Sequence, residues 1–341
     1  MKTVVIIGGG FAGSLIAKEL SRHFSVIMID DKNYFEFTPG VLRIVVDIEH
    51  ISKIQRKHER YLKHANIIKD CVISIDEHQV HLKHKKSVSY DYLVIASGSR
   101  YELPIKANGL VQANRVEKLK KAHDDAEHAD TIILIGGGLV GVELTGELLD
   151  MYRNKKIIVI HAAKELIPRN HPKSRAYAKR YLERRGVELV FEEFVKEVKN
   201  GVCRTKSGKS FKGDVIFLCT GIKPNSDFVP KRMRTERGFV EVNDFLQVKG
   251  AKNIFAPGDV NAIREEKTAQ AAEQGAKIVA HNICALENKS TLKPYKQKKN
   301  PMVISLGKYN AIVEYKNFVY RGKIPAVMKW GIERWEMLKK R

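Results

Sequence analysis

Residues 2–31, KTVVIIGGGFAGSLIAKELSRHFSVIMIDD, read as strand, glycine turn, helix and strand. A β-branched run ends in Gly8, Gly10 and Gly13, a GxGxxG at the point where a helix opens with Phe11 and Ala12. Gly8 permits the tight turn, Gly10 lets backbone approach a pyrophosphate, and Gly13 lets the helix lie close on its strand. The helix N-terminus then turns its orphan N–H groups and positive dipole end toward the phosphates. Asp30, 17 residues beyond Gly13 at the end of the next strand, is placed to accept both hydroxyls of a ribose.

The pattern returns 128 residues later in DTIILIGGGLVGVELTGELLDMYRNKKIIVIHAAKELIPR, residues 130–169, with Gly136, Gly138 and Gly141 around Leu139 and Val140. Two such folds imply two nucleotides, and a flavin with a nicotinamide is the pairing that makes chemical use of both. The alternative is a duplication without a second ligand. Two further runs, YDYLVIASGSR (90–100) and DVIFLCTGIKPNSDF (214–228), read as buried strands that end in small-residue turns where the chain can cross beside a dinucleotide. Ala96, Gly98 and Gly221 lie in those turns. NIFAPGDV (253–260) sets Asp259 after a short apolar strand, and KTAQAAEQGAKIVAHNI (267–283) follows as a helix.

Composition fits a soluble globular protein of two domains: 341 residues, 43% hydrophobic and 29% charged. Cys71, Cys203, Cys219 and Cys284 are scattered and form no CxxC, which argues against a disulfide framework or a metal site and for a reducing compartment. No run reaches the length of a membrane span, and the N-terminus lacks the flanks of a signal peptide, so a cytoplasmic protein is expected. The net charge of +22 is lopsided. Residues 1–150 hold 20 Lys/Arg against 20 Asp/Glu, and residues 151–341 hold 41 against 19. Such a field draws an anionic surface, a phosphorylated ligand, an acidic protein or nucleic acid.

In its order of GxGxxG, YDYLVIASG, second GxGxxG, TGIKPN and APGD, nearly the whole chain resembles the pyridine-nucleotide flavoprotein oxidoreductases. NYFEFTP (33–39), GVELTGEL (141–148) and AQAAEQ (269–274) resemble the quinone-reducing type II NADH dehydrogenases, whose relatives include apoptosis-inducing-factor-like and ferroptosis-suppressor-type proteins. The resemblance implies an α/β architecture of two Rossmann-like domains, the NAD(P)H domain (106–244) inserted in an FAD domain (1–105 and 245–295), with a C-terminal segment from 296. ENKSTLKPYKQKKN (287–300) reads as the solvated linker into that segment. FAD is implied on Gly8, Gly10, Phe11, Ala12, Gly13, Asp30, Thr38, Pro39, Val72, Ala96, Gly98, Thr268 and Ala269, with Asp259 on the ribityl chain. NADH or NADPH is implied on Gly136, Gly138, Leu139, Val140, Gly141, Glu143, His161 and Gly221.

Disulfide reductases carry CxxxxC in the region that here reads YFEFTPGVLRIVVDIEH (34–50), so a thiol relay is excluded and electrons must leave the flavin directly. If Thr268 begins the helix, its first N–H groups can support negative charge on the flavin, with Lys267 just outside as a candidate catalytic cation. Gln270 and Gln274 share a face at i, i+4, and their amides can hydrogen-bond quinone carbonyls without carrying charge. The resemblance supports this, since AQxAxQ marks the quinone site of the type II enzymes. The other reading ties both glutamines to neighbouring backbone. Glu143 is the candidate to position the nicotinamide or pass a proton, against a simple helix-face charge. His161 stands where NADH-preferring relatives carry an acid. With Lys164 and Arg169 nearby it opens the site to NADPH as well as NADH.

In KIPAVMKWGIERWEMLKKR (323–341), helical phasing gathers Ile324, Val327, Met328, Gly331, Ile332, Trp335 and Leu338 on one face, with Lys329, Glu333, Glu336 and Lys340 opposite and Trp330 off the stripe. Residues 289–341 carry 14 Lys/Arg against 3 Asp/Glu, which suits an interfacial helix on the anionic inner face of a membrane. Packing on its own domain or in a homodimer is the alternative. The leading expectation is a peripheral FAD-dependent NAD(P)H:quinone oxidoreductase. Set against it are a soluble rubredoxin or ferredoxin reductase and an apoptosis-inducing-factor-like binder of nucleic acid, for which no RNA-binding aromatic motif or helix-turn-helix signal is present.

Overall fold

The computed structural model describes residues 1–101, 110–112 and 116–340. The first glycine motif seeds a parallel five-stranded sheet in the order Ile254–Phe255, Tyr92–Ile95, Thr3–Ile7, Ser25–Asp30, Ala65–Lys69. Its central strands are apolar runs because both faces are covered; Val4, Val5 and Ile6 have no exposed surface. Helix Phe11–Leu20 lies on one face and packs along helix Ala269–Glu287. The second motif seeds a sister sheet in the order Leu110–Gln112, Val215–Leu218, Thr131–Ile135, Lys156–Ile160, Glu188–Val190, again all parallel.

Ile254–Phe255 follows the second sheet in sequence yet pairs with Tyr92–Ile95 of the first, so the chain leaves one fold, builds the other and returns. The two buried strands expected beside a dinucleotide, Tyr92–Ile95 and Val215–Leu218, both end in left-handed glycines, Gly98 (φ 67°) and Gly221 (φ 63°). Beyond those turns Ser99–Tyr101 and Ile222–Pro224 pair antiparallel. Asn225 fastens them: its Nδ2 donates to the Ser97 carbonyl at 2.9 Å, and its Oδ1 accepts from Arg100 Nη1 at 2.9 Å. The expected domain boundary at 105/106 falls outside the described residues.

The C-terminal segment is a three-stranded antiparallel sheet, Met302–Ser305, Ala311–Tyr315 and Phe318–Gly322, followed by helix Lys323–Leu338. It meets helix Leu139–Met151 at Gly146, where a Cβ would stand 2.4 Å from the Leu306 carbonyl carbon. From the same helix Glu147 accepts two 3.1 Å hydrogen bonds from Arg43 Nε and Nη2, clamping the first fold to the second.

The linker at 287–300 is exposed over most of its length, as expected, and is pinned at points along it: Lys293 N donates to Asn282 Oδ1 at 2.8 Å, and Tyr295 OH to Glu265 Oε2 at 2.8 Å. The terminal helix docks by its polar face. Lys329 pairs with Glu143 at 2.7 Å, Glu333 with His50 at 3.2 Å, and Lys340 is buried, while the apolar stripe points outward. Ile324 is 60% exposed, Val327 66% and Trp335 62%. Gly331 does not interrupt the helix, and Trp330 is exposed beneath the Arg334 guanidinium.

Candidate functional site

At Gly8 (φ 98°) a Cβ would stand 2.5 Å from the Ala96 carbonyl oxygen, and at Gly13 1.8 Å from the Gly8 carbonyl oxygen. Neither position admits a side chain, so helix and strand close on each other. Gly10, the helix N-cap, faces open space and offers backbone there. The second loop repeats this. Gly141 would clash at 1.8 Å with the Gly136 carbonyl oxygen, Gly136 would meet Thr220 Cγ2 at 2.3 Å, and Gly138 is open. Both loops are thus cradles for a diphosphate on a helix N-terminus, and the residues present fit two dinucleotides.

A single cleft of about 2360 Å³ runs past both loops, well beyond the ~300–1,000 Å³ of one small-ligand site. Every residue expected on the two dinucleotides borders it, apart from Gly13 and Gly141, which lie beneath the loops as packing glycines. Asp30 receives the Gly9 N–H on Oδ2 and the Lys32 N–H on Oδ1 at 2.8 Å, and burial lifts its carboxyl to about 7. Behind Gly9 stands His58, fully buried, with Nδ1 2.8 Å from the Tyr61 hydroxyl; burial lowers its imidazole to about 4 and keeps it neutral. His58 sits in a stretch without periodicity, and nothing in the sequence marked it.

Asp259 accepts from Ser99 Oγ at 3.0 Å, and burial raises its carboxyl. Lys267 donates to Asn261 O (3.0 Å), Asn261 Oδ1 (3.1 Å) and Ile263 O (3.0 Å), and burial lowers its ammonium. Its donors are therefore spent on bracing the loop into the next helix. Thr268 is that helix's N-cap, its Oγ1 accepting from Ala271 N at 3.2 Å. Gln270 borders the cleft, but Gln274 does not: its Nε2 donates to the Lys296 carbonyl at 2.5 Å and ties down the linker. The structure does not bring the two glutamines together at the cleft; Glu273 borders it instead.

Glu143 borders the cleft and is already engaged, Oε1 accepting from Lys329 Nζ at 2.7 Å and from Ser305 N at 2.9 Å. Lys329 lies 186 residues away, and helical phasing places it only on a polar face. His161 also borders the cleft, its Nε2 buried and without a hydrogen-bond partner among the described residues, and burial lowers its pKa. Of the two cations expected near it, Arg169 borders the cleft and pairs with Glu266 at 3.2 Å, while Lys164 projects into solvent.

Cys71 and Cys219 border the cleft from different folds, all four cysteines are free, and no metal-binding cluster occurs among the described residues. Phe37, Val41, Leu42, Ile304, Ile332 and Trp335 are among the apolar side chains that line the cleft. Ile332 and Trp335 belong to the outward stripe of the terminal helix, so the cleft and the exposed apolar surface share two side chains. No helix among the described residues is long and apolar enough to cross a membrane.

The family model described as pyridine nucleotide-disulphide oxidoreductase matches residues 2–276. Apoptosis-inducing factor homolog A of Dictyostelium discoideum is 31% identical over 335 residues, covering 89% of this chain and 82% of its own. Ferroptosis suppressor protein 1 of Homo sapiens is 28% identical over 345 residues, covering 94% and 90%. Among solved structures, the sulfide:quinone oxidoreductase of Aquifex aeolicus matches with a TM-score of 0.88 at 20% identity, covering 100% of this chain and 92% of that one. NDH2 of Plasmodium falciparum in complex with NADH matches at 0.86 and 15%, covering 100% and 96%. At such identities the two structures establish the fold.

Proposed function

Because the chain belongs to the pyridine nucleotide-disulphide oxidoreductase family, we propose that it is an FAD-dependent NAD(P)H:quinone oxidoreductase working at an anionic membrane surface. Members of this family bind FAD and use NADH or NADPH. When bound, FAD accepts a hydride from the nicotinamide nucleotide and passes two electrons to an acceptor.

The chain's own residues supply position and environment. The first loop and Asp30 would hold the flavin nucleotide, and the second loop with Gly221 and His161 the nicotinamide nucleotide. The helix capped by Thr268 turns its N–H groups toward the cleft, where they favour negative charge. Glu143, neutralised by Lys329, is a hydrogen-bonding post between the second fold and the terminal helix. Gln270 remains the candidate to hold a quinone carbonyl, with Gln274 supporting it through the linker.

One observation carries the quinone reading: Ile332 and Trp335 belong both to the lining of the cleft and to the exposed stripe, which would offer an apolar molecule in a bilayer a path inward. A path of that kind has no use for a water-soluble protein carrier. The surrounding basic residues would hold the face on anionic lipid, each contributing about 1 kcal/mol near the surface. Anaerobic turnover with a long-tailed quinone in anionic liposomes, compared with rubredoxin, tests this. Quinone should be the faster acceptor by at least ~tenfold; a rubredoxin rate above the quinone rate would replace this reading with that of a soluble reductase.

A further inference from the structure

Reduction of a quinone takes up two protons, whereas a hydride carries one, so each turnover draws one more from the medium. The proton has to come from a group that lines the cleft. Glu143 is neutralised by Lys329, and Asp259 is held by Ser99. Glu273 and Glu336 are different. Both border the cleft, and they reach it from separate elements: Glu273 from helix Ala269–Glu287, one turn past Gln270 on the same face, and Glu336 from the terminal helix beside Trp335.

The two carboxyl groups lie near enough to interact electrostatically. Glu336 Oε1 accepts from Lys339 Nζ, and its Oε2 is buried without a hydrogen-bond partner among the described residues. Burial first, and then the charge of Glu336, raise the Glu273 carboxyl, while Lys339 and Lys340 act in the opposite sense. Lys340 itself is buried, donating to Ser14 Oγ at 2.6 Å and lying 4.5 Å from the Phe35 ring centroid and 5.1 Å from that of Tyr61. Lys18, from helix Phe11–Leu20, is the remaining cation that acts on Lys340.

Resting on the quinone reading above, we propose that Glu273 donates a proton to the quinone oxygen and that Glu336, which borders the cleft from the terminal helix, is the positioning residue through which Glu273 is reloaded from solvent. The balance is NAD(P)H + H⁺ + quinone → NAD(P)⁺ + quinol. The new O–H bond at the quinone forms as the Glu273 O–H bond breaks, and the carboxylate left behind takes a proton from water past the half-exposed Lys339.

The test uses the full-length FAD-loaded protein, its Glu273→Gln and Glu336→Gln variants, a short-tailed quinone, and ferricyanide, which accepts electrons without protons. In E273Q the ratio of quinone to ferricyanide turnover should fall by at least ~tenfold, the scale of a lost general acid. In E336Q the alkaline limb of the quinone pH profile should move to lower pH, because Glu273 loses the neighbouring negative charge that raised it. Ratios within twofold of the parent together with an unmoved pH profile would overturn the assignment. Infrared titration reads the carboxyl directly: a protonated carboxyl band that persists above the ordinary carboxylate range and is missing from E273Q supports the proposal, and no such band overturns it. If the unaltered protein reduces ferricyanide but no quinone, the quinone reading itself falls, and this proposal with it.

Discussion

Ile324→Ser combined with Val327→Ser tests the membrane face without touching the cleft. Neither residue borders it, and the docked side of the helix, with Lys329, Glu333 and buried Pro325 and Met337, is left as it is. The two side chains are 60% and 66% exposed, so roughly two thirds of each remains to be buried on contact with lipid. Full burial of such a side chain is worth about 1.5–3 kcal/mol, which leaves ~1–2 kcal/mol each and at least ~2 kcal/mol for the pair. At tenfold per 1.4 kcal/mol, the partition coefficient should fall by at least ~30-fold. Cosedimentation with liposomes of anionic lipid measures it, with the melting temperature and bound-flavin absorbance as controls on folding. Raising the salt should weaken both proteins alike, since the electrostatic share is unaltered. A partition coefficient within threefold of the parent would refute the assignment of this stripe to lipid.

Gly10→Ala and Gly13→Ala should separate: the Gly13 Cβ would meet the Gly8 carbonyl at 1.8 Å, costing ~1–3 kcal/mol of stability, whereas the Gly10 Cβ meets nothing within 4 Å and should weaken flavin binding while leaving the apoprotein's melting temperature in place. Equal melting temperatures for the two apoproteins would contradict this. His161→Glu should shift the NADPH/NADH ratio of kcat/KM toward NADH by ~tenfold, as a carboxylate there accepts ribose hydroxyls and repels a 2′-phosphate; an unaltered ratio would show that residue 161 does not read the ribose. His58 is held near pKa 4 when folded and titrates near 6.5 when unfolded, so below pH 6.5 the unfolded chain binds a proton the native one refuses. The His58 contribution to stability should therefore fall from pH 6.5 to 4, by roughly 2 kcal/mol at pH 5; in urea unfolding the change in stability between pH 7 and 5 should differ by that amount between the parent and His58→Gln, and an identical change in the two proteins would contradict it.

The parallel strands and both glycine loops were legible because their causes are local: apolar runs of strand length, and glycines at positions where a Cβ meets a carbonyl within 1.8–2.5 Å. The stripe at 324–338 was legible for the same reason, since 3.6-residue periodicity lies in the chain itself. What the stripe faces was not. A helix that docks through Lys329 and Glu333 depends on partners at Glu143 and His50, remote in sequence, and periodicity alone treats a polar face as a solvated one. Helix phase groups Gln274 with Gln270, but its amide is taken by the carbonyl of Lys296, in a linker whose path no local pattern specifies. The settings of Glu273, Glu336, His58 and Asn225 are not legible in the sequence, because each arises only when separate elements meet.

An anaerobic single turnover addresses the central claim, that electrons leave the flavin for a quinone with no cysteine between them. The protein is first bleached with one equivalent of NADPH or NADH per FAD and then mixed with a quinone, after every accessible thiol has been alkylated. The account predicts that the flavin absorbance returns in full and that one quinol forms per FAD. A flavin that stays bleached in quinone, or regains its absorbance only when the thiols are left free, would contradict it.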